Sequence, residues 1–193
     1  MLKEFIDFVD DVLPSVSPDL RDRAKNAILQ FEKEGNQLNY MMFQPLQQLS
    51  QGDIISNIPF SYFDENGEQK IFSANAMVLS TSCHIDQKDR IILVPVLPLT
   101  VFSGNKKDLQ RNTIFDYMYI SDSIMSDQFI DFEYMGTYNK SLILNGIRNN
   151  QIKRLASLNQ LGYYFFIIKL TVYLMRKEDR ETQKERNREA AFE

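Results

Sequence analysis

The strongest hydrophobic patterning lies in the middle of the chain. Two apolar runs, IISNIPFSYF (54–63) and KIFSANAMVLS (70–80), flank DENGEQ, whose Asn66-Gly67 pair has the chemistry of a tight turn; together they predict a β-hairpin. RIILVPVLPLT (90–100) is a continuous, branched apolar run that reads as a buried strand. Pro95 and Pro98 predict that its far half is bent or at an edge. TIFDYMYI (113–120) and QFIDFEYM (128–135) follow, and in the second Phe129, Asp131 and Glu133 alternate with Ile130, Phe132 and Tyr134. Short strands at regular spacing, joined by polar turns, point to a small barrel rather than a βαβ sheet.

Helical periodicity brackets this β zone. Leu2, Phe5, Ile6, Val9 and Val12 recur at three/four spacing up to Pro14, and a second helix is punctuated by Ser17 as N-cap, Pro18 at the first helical position, Asp19 in the first turn and Gly35 beyond its end. Residues 36–50, interrupted by Pro45, read as a connector packed by Met41, Met42, Phe43 and Leu46. Near the C-terminus, Ser157 and Gln160 have capping-box spacing and open a helix that runs to Met175. The stretch Leu161–Met175 is apolar almost all round. It is too short for a bilayer span and carries Lys169 near its middle, so it reads as a helix buried on two sides or docked on the N-terminal helices or another subunit. The remaining residues alternate acids and bases, as a solvated helical tail does. The expected organisation is an N-terminal helical extension (1–50), a barrel with its C-terminal helix (51–176) and a charged tail (177–193).

Composition narrows the partners. The 193 residues carry a net charge of −4, which gives no global basic field for tracking nucleic acid. A single cysteine excludes an internal disulfide and fits a reducing cytoplasm; with one histidine it also cannot complete a Cys/His zinc site. The acidic, leader-free opening MLKEFIDFVDDVL is not a signal peptide. No metal, cofactor or membrane attachment is expected.

The order QGDII (51–55), AMVLS (76–80), RIILVPV (90–96) and QFIDFEYMGTYNKSLI (128–143), followed by a helix, resembles the MazF/PemK toxin family. The resemblance covers roughly residues 51–176 and implies an α+β fold: a small SH3-like β-barrel with N-terminal helices and a long C-terminal helix. In that family an arginine just before the Val-Leu-Ser strand and a threonine just after the Val-Pro strand carry RNA cleavage. Here Phe72-Ser73-Ala74-Asn75 precede AMVLS; Lys70 is the nearest base and Thr100 the nearest threonine.

Metal-free RNA cleavage needs a group to deprotonate the 2′-hydroxyl and a cation to stabilise the phosphorane. The candidate acid/base or hydrogen-bonding residues are His84, Asp86 and Thr100, and the candidate RNA- or phosphate-binding cations are Lys70, Lys88 and Arg90. If AMVLSTSCHID is extended, Cys83 and His84 point to opposite faces, whereas His84 and Asp86 share one. Equally, His84 could bond backbone at a strand end and Asp86 could open a turn. The aromatics Tyr117, Tyr119, Phe129, Phe132, Tyr134 and Tyr138 could stack bases or fill the core. Two functions are therefore expected. One is a diverged, non-catalytic interaction subunit of a bacterial toxin–antitoxin or phage-defence complex, held to a protein partner or another copy through its helices. The other is a metal-independent endoribonuclease acting on single-stranded RNA.

Overall fold

The computed structural model describes residue 26 and residues 39–120, 122–175 and 179–189. The two N-terminal helices expected from the sequence lie outside these residues, so the docking of the apolar helix upon them is likewise outside. The described chain is mixed α and β. Its strands are β1 (Met41–Met42), β2 (Asp53–Phe63), β3 (Gln69–Val78), β4 (Arg90–Pro98), β5 (Tyr117–Ile120), β6 (Gln128–Asp131), β7 (Gly136–Asn139) and β8 (Arg154–Leu158). The helices are α1 (Ser82–Gln87), α2 (Lys106–Gln110), α3 (Lys140–Arg148), α4 (Gln160–Leu174) and α5 (Arg180–Glu189), with 3-10 turns at Leu99–Val101 and Phe132–Tyr134.

The eight strands form one antiparallel sheet in the order β1-β8-β2-β3-β4-β6-β5, with β7 beside β4. Among the described residues no ladder joins β1 to β5, so the sheet is open. β4 is central rather than an edge. On one side it pairs with β3; on the other it pairs with β7 over Arg90–Leu93 and with β6 over Val96–Pro98. Pro95 falls between those two ladders, a place where a missing N–H is tolerated.

Both faces of the central strands are covered, which explains why β4 lacks alternation in sequence. Ile91 and Leu93 face a core shared with Ile55, Ile58, Ala76, Val78, Ile85 of α1 and Ile143 of α3. Val94 and Val96 face the opposite core, with Ile54, Met77, Met118, Ile130, and Phe165 and Phe166 of α4. α4 buries Gly162, Phe165, Phe166, Ile168 and Lys169 and leaves most of its other residues half-buried. Gly162 is obligatory there because a Cβ would stand 2.4 Å from the carbonyl oxygen of Tyr40. Lys169, on the same helix, is 5% exposed; its ammonium donates to the carbonyls of Asn112 (3.1 Å) and Ile114 (2.5 Å).

The β2–β8 junction is organised by Asp53, whose side chain is wholly buried. Its carboxylate accepts from the Ser50 amide (3.0 Å), Arg154 Nη2 (2.7 Å) and the Ser157 hydroxyl (2.5 Å). Arg154 Nη2 also donates to the Gln48 carbonyl, and the Leu46 amide donates to Ser157 Oγ, so the connector is laced to the sheet. Gly52 precedes Asp53 at φ 86, and a Cβ there would press to 3.0 Å of the Leu158 side chain. One extra residue bulges β2 between Ile55 and Ile58, where Asn57 takes φ 58.

Several expectations are corrected. Ser157 is a strand residue bonded to Asp53, not a helix cap; α4 is capped by Asn159, which accepts from the Gly162 amide. The strand expected over 113–120 shortens to β5, and that over 128–135 becomes β6 followed by a turn that buries Phe132. Met41 is core, but Phe43 is 71% exposed and Leu46 is also at the surface. The segment after AMVLS is helical, because Thr81 caps α1 and Ile85 anchors it.

Asp53→Ala would strand Arg154 and Ser157 without their shared acceptor. Urea unfolding is expected to show a loss of about 3 kcal/mol, the lower range for breaking a buried ion pair. Gly162→Ala, which drives a methyl into the Tyr40 carbonyl, is expected to cost about 1–3 kcal/mol by the same measurement.

Candidate functional site: an acid-floored aromatic groove

The β2–β3 hairpin curls toward the β6–β7 junction, and a groove forms where they approach. In β2–β3, the cross-strand pairs Phe60–Phe72 and Tyr62–Lys70 put four long side chains on one face. Phe72 and Tyr62 reach Tyr134, at ring-centroid distances of 5.6 and 5.4 Å, and form an edge-to-face triad with it. A second triad stands opposite: Phe102, Tyr117 and Phe129, with centroids 5.3–5.6 Å apart and again edge to face. The hollow between the triads, about 470 Å³, is also lined by Lys70, Asp131 and Glu133. A second hollow of about 570 Å³ lies behind Tyr62 and Tyr134, bounded by Pro59, Phe60 and Tyr138. The Tyr138 hydroxyl donates to the Pro59 carbonyl (2.7 Å) and tethers β7 to β2 there.

Asp131 is the unusual group in the first hollow. It is 5% exposed and is cross-strand partner to Tyr117. Its Oδ1 accepts from the Glu133 amide (3.0 Å), while no donor among the described residues reaches Oδ2. Burial pushes its pKa up from 3.8 to about 7, against the Glu133 amide that favours the charged form; Glu133 and Asp116 add like charge. Glu133 itself accepts from the Tyr117 hydroxyl (2.7 Å). Burial, then that hydrogen bond, pushes the Tyr117 hydroxyl well above the ordinary tyrosine range, so it remains a donor.

Lys70 is the cation of this groove, and it is already engaged. It donates to Glu68 Oε2 (2.6 Å) and lies 3.3 Å from Asp64; those two carboxylates hold its ammonium above the ordinary lysine range. Thr100 is exposed in the 3-10 turn whose neighbour Val101 lines the same hollow. His84, Asp86, Lys88 and Arg90 gather at the other end of the β3–β4 pair. From Lys70 to Val78 the strand advances eight residues, so roughly 26 Å separates the two groups at about 3.3 Å per residue.

The geometry expected around His84 also changes. In the six-residue α1, His84 and Asp86 project to opposite sides, so Asp86 does not orient the imidazole. His84 Nδ1 instead shares a hydrogen bond with Thr81 Oγ1 (3.2 Å), and Cys83 is exposed and free. Lys140 donates to the carbonyls of Ile85 and Asp86, fastening α1 to α3. Among the aromatics raised as base platforms, Tyr119, Phe129 and Phe132 are core, while Tyr117, Tyr134 and Tyr138 are partly exposed at the two hollows. Asp131 and Glu133 were not singled out in the sequence. The available signal was an acid in phase with Phe129 along a strand, opposite an aromatic residue.

No family model matches the chain, and no curated protein matches it. Among solved structures it is similar to an endoribonuclease in complex with its cognate antitoxin from Mycobacterial species. That likeness has a TM-score of 0.42 and 8% sequence identity, and covers 68% of this chain and 100% of the other.

The Asp131 environment predicts a pH-dependent stability. Between about pH 4 and 7 the folded state holds a proton that the unfolded chain has released. This contribution is complete below pH 4 and is lost as the pH rises through about 7. Asp131→Asn keeps the acceptor for the Glu133 amide and removes the titration. Urea unfolding should therefore find the variant gaining on the parent as pH rises from 5 to 8, by at most about 3 kcal/mol.

Proposed function

We propose that this chain is a diverged MazF/PemK-like protein, with a sheet derived from the SH3-like barrel, that acts as a non-catalytic interaction subunit. Its setting is a bacterial toxin–antitoxin or phage-defence type complex in the cytoplasm. The segments 1–50 and 177–193 serve assembly, and the groove between the aromatic triads meets a protein partner.

One observation carries this reading. The groove's acidic groups are Asp131 and Glu133, and its lysine is already paired with Asp64 and Glu68. Such a surface repels phosphate, and among the described residues it provides no unpaired cation where a phosphorane would form. The cations Lys88 and Arg90 and the imidazole of His84 stand at the far end of β3–β4, out of reach of Asp131.

A second reading, a metal-independent endoribonuclease on single-stranded RNA, is favoured by one specific feature. Lys70 and the turn bearing Thr100 border a single hollow, and Asp131 there titrates near the pH suited to acid/base work.

Purified protein incubated with long RNA and a chelator separates the two. The interaction reading expects intact RNA. Cleavage that is lost in Lys70→Ala, Thr100→Ala or His84→Ala would overturn it in favour of the nuclease. Light scattering is expected to give a mass above that of one chain for the protein with its partner, or with another copy; a strict monomer lacking any partner would also count against the interaction reading.

A further inference from the structure

The chemistry of the groove narrows what it can receive. Its walls are Tyr62, Phe72 and Tyr134 on one side and Phe102 and Tyr117, backed by the buried Phe129, on the other. Its floor presents Asp131, nearly buried and with one carboxylate oxygen lacking a donor, and Glu133. An aliphatic side chain seated there would cover that oxygen without satisfying it, which is costly. An acidic or phosphorylated group would meet like charge. A planar cation answers both constraints: its face stacks on aromatic rings while its N–H groups donate to carboxylates. An ammonium is compact and strongly hydrated, and gains less from flat walls.

We propose that the groove receives an arginine side chain presented by a partner polypeptide, its guanidinium held between the two aromatic triads and paired with Asp131 and Glu133. This rests on the interaction-subunit reading and names the chemistry of the partner. A hollow of about 470 Å³ is within the size range of specific ligand pockets and leaves room for the backbone that carries the arginine. The shared wall of Tyr62 and Tyr134 leads on into the second hollow, where the Thr137 and Gly136 backbone gives a flanking residue a place to lie.

A proton is linked to this event. The charged and titratable groups facing Asp131 are Glu133 and Tyr134 from its own turn, Asp116 just before β5 and Tyr117 at its start, Lys70 and Tyr62 from the hairpin, and Tyr173 of α4. With the groove empty, burial keeps Asp131 protonated up to about pH 7. A guanidinium favours the carboxylate, so binding releases a proton near neutrality and tightens as the pH rises.

The test is a titration of the full, nitrogen-15-labelled chain with a blocked Gly-Arg-Gly peptide, followed by amide chemical shifts at pH 6 and pH 8. Matched peptides carry lysine or citrulline in place of arginine. The expected result is shifts concentrated at residues 60–72, 101–103, 117 and 129–134, tighter at pH 8, weaker for lysine and absent for citrulline. Asp131→Asn with Glu133→Gln is expected to weaken the arginine peptide by about tenfold or more, the usual loss for removing charge-assisted bonds. Glu133→Gln alone, at an exposed position, gives a smaller loss in the same direction should the double variant fail to fold. Shifts scattered over unrelated acids, equal response to citrulline, or an unchanged affinity in the variants would overturn the proposal. Lysine bound more tightly than arginine would overturn its choice of cation. If a protein complex isolated with the parent chain persists with the double variant, the arginine proposal falls and the interaction reading stands. If the parent chain cleaves RNA at the Lys70–Thr100 border, the interaction reading falls first.

Discussion

The structure depends on one buried carboxylate. Asp53 sits where β2 leaves the connector, and it holds the Ser50 amide, Arg154 and Ser157 at once. A buried charge is tolerable only when every lone pair is answered, so these partners must stay in place together. Their effect is to set β8 against β2, pairing Asp53 with Ser157 and Ile54 with Ala156, before the register shifts by one residue to Ile55–Arg154. That register, with the bulge at Ile55–Ile58, aims the far half of β2 at Tyr134 and Tyr138. The groove is therefore a remote product of the knot at the start of the strand. The Gly-Asp-Ile motif has a structural meaning here: glycine for the turn against Leu158, aspartate for the knot and isoleucine for the core.

A second buried charge supports the groove from behind. Lys169 interrupts an otherwise apolar helix, and its ammonium is spent on the carbonyls of Asn112 and Ile114. Those residues lead into β5, whose first residue, Tyr117, belongs to the second triad. Burial pushes the Lys169 pKa down to about 7, with the Asp116 charge opposing. No helix among the described residues is long and apolar enough to cross a membrane, and the lysine that breaks the apolar run has a packing role instead.

The sheet was legible in the sequence wherever side chains alone decide it. β2, β3 and β4 follow their apolar runs, and Asn66-Gly67 lies in the turn joining the first two, with Gly67 at φ 77. β8 was hidden because RLASL is short and carries the two polar residues that Asp53 needs. Ser157 and Gln160 then mimic a capping box, while the true cap is Asn159. α1 was hidden because six residues are too few to show a helical period, and its cap, Thr81, looks like the end of a strand. At the site, the sequence offers Lys70 and Thr100 separately, and only the fold brings Lys70 and the turn bearing Thr100 to one hollow, with His84 at the other end of the β3–β4 pair. Asp131 escaped notice since an acid on a strand reads as solvent-facing. Only the fold reveals that the rings of Tyr117 and Phe129 cover that side.

The strand order also governs the sequence of events in synthesis. β8 lies between β1 and β2, yet among the described strands it is the last made. Until residues 154–158 leave the ribosome, β1 lacks its partner among the described strands, one edge of β2 lacks its described partner, and Asp53 lacks its arginine. The nascent chain can close the β2–β3–β4 meander early, but its N-terminal flank must wait for the insertion of β8. This chain thus completes its sheet from the middle outward, with a late strand threading between two early ones, and that β2 edge is its point of exposure to chaperones and to unwanted strand pairing.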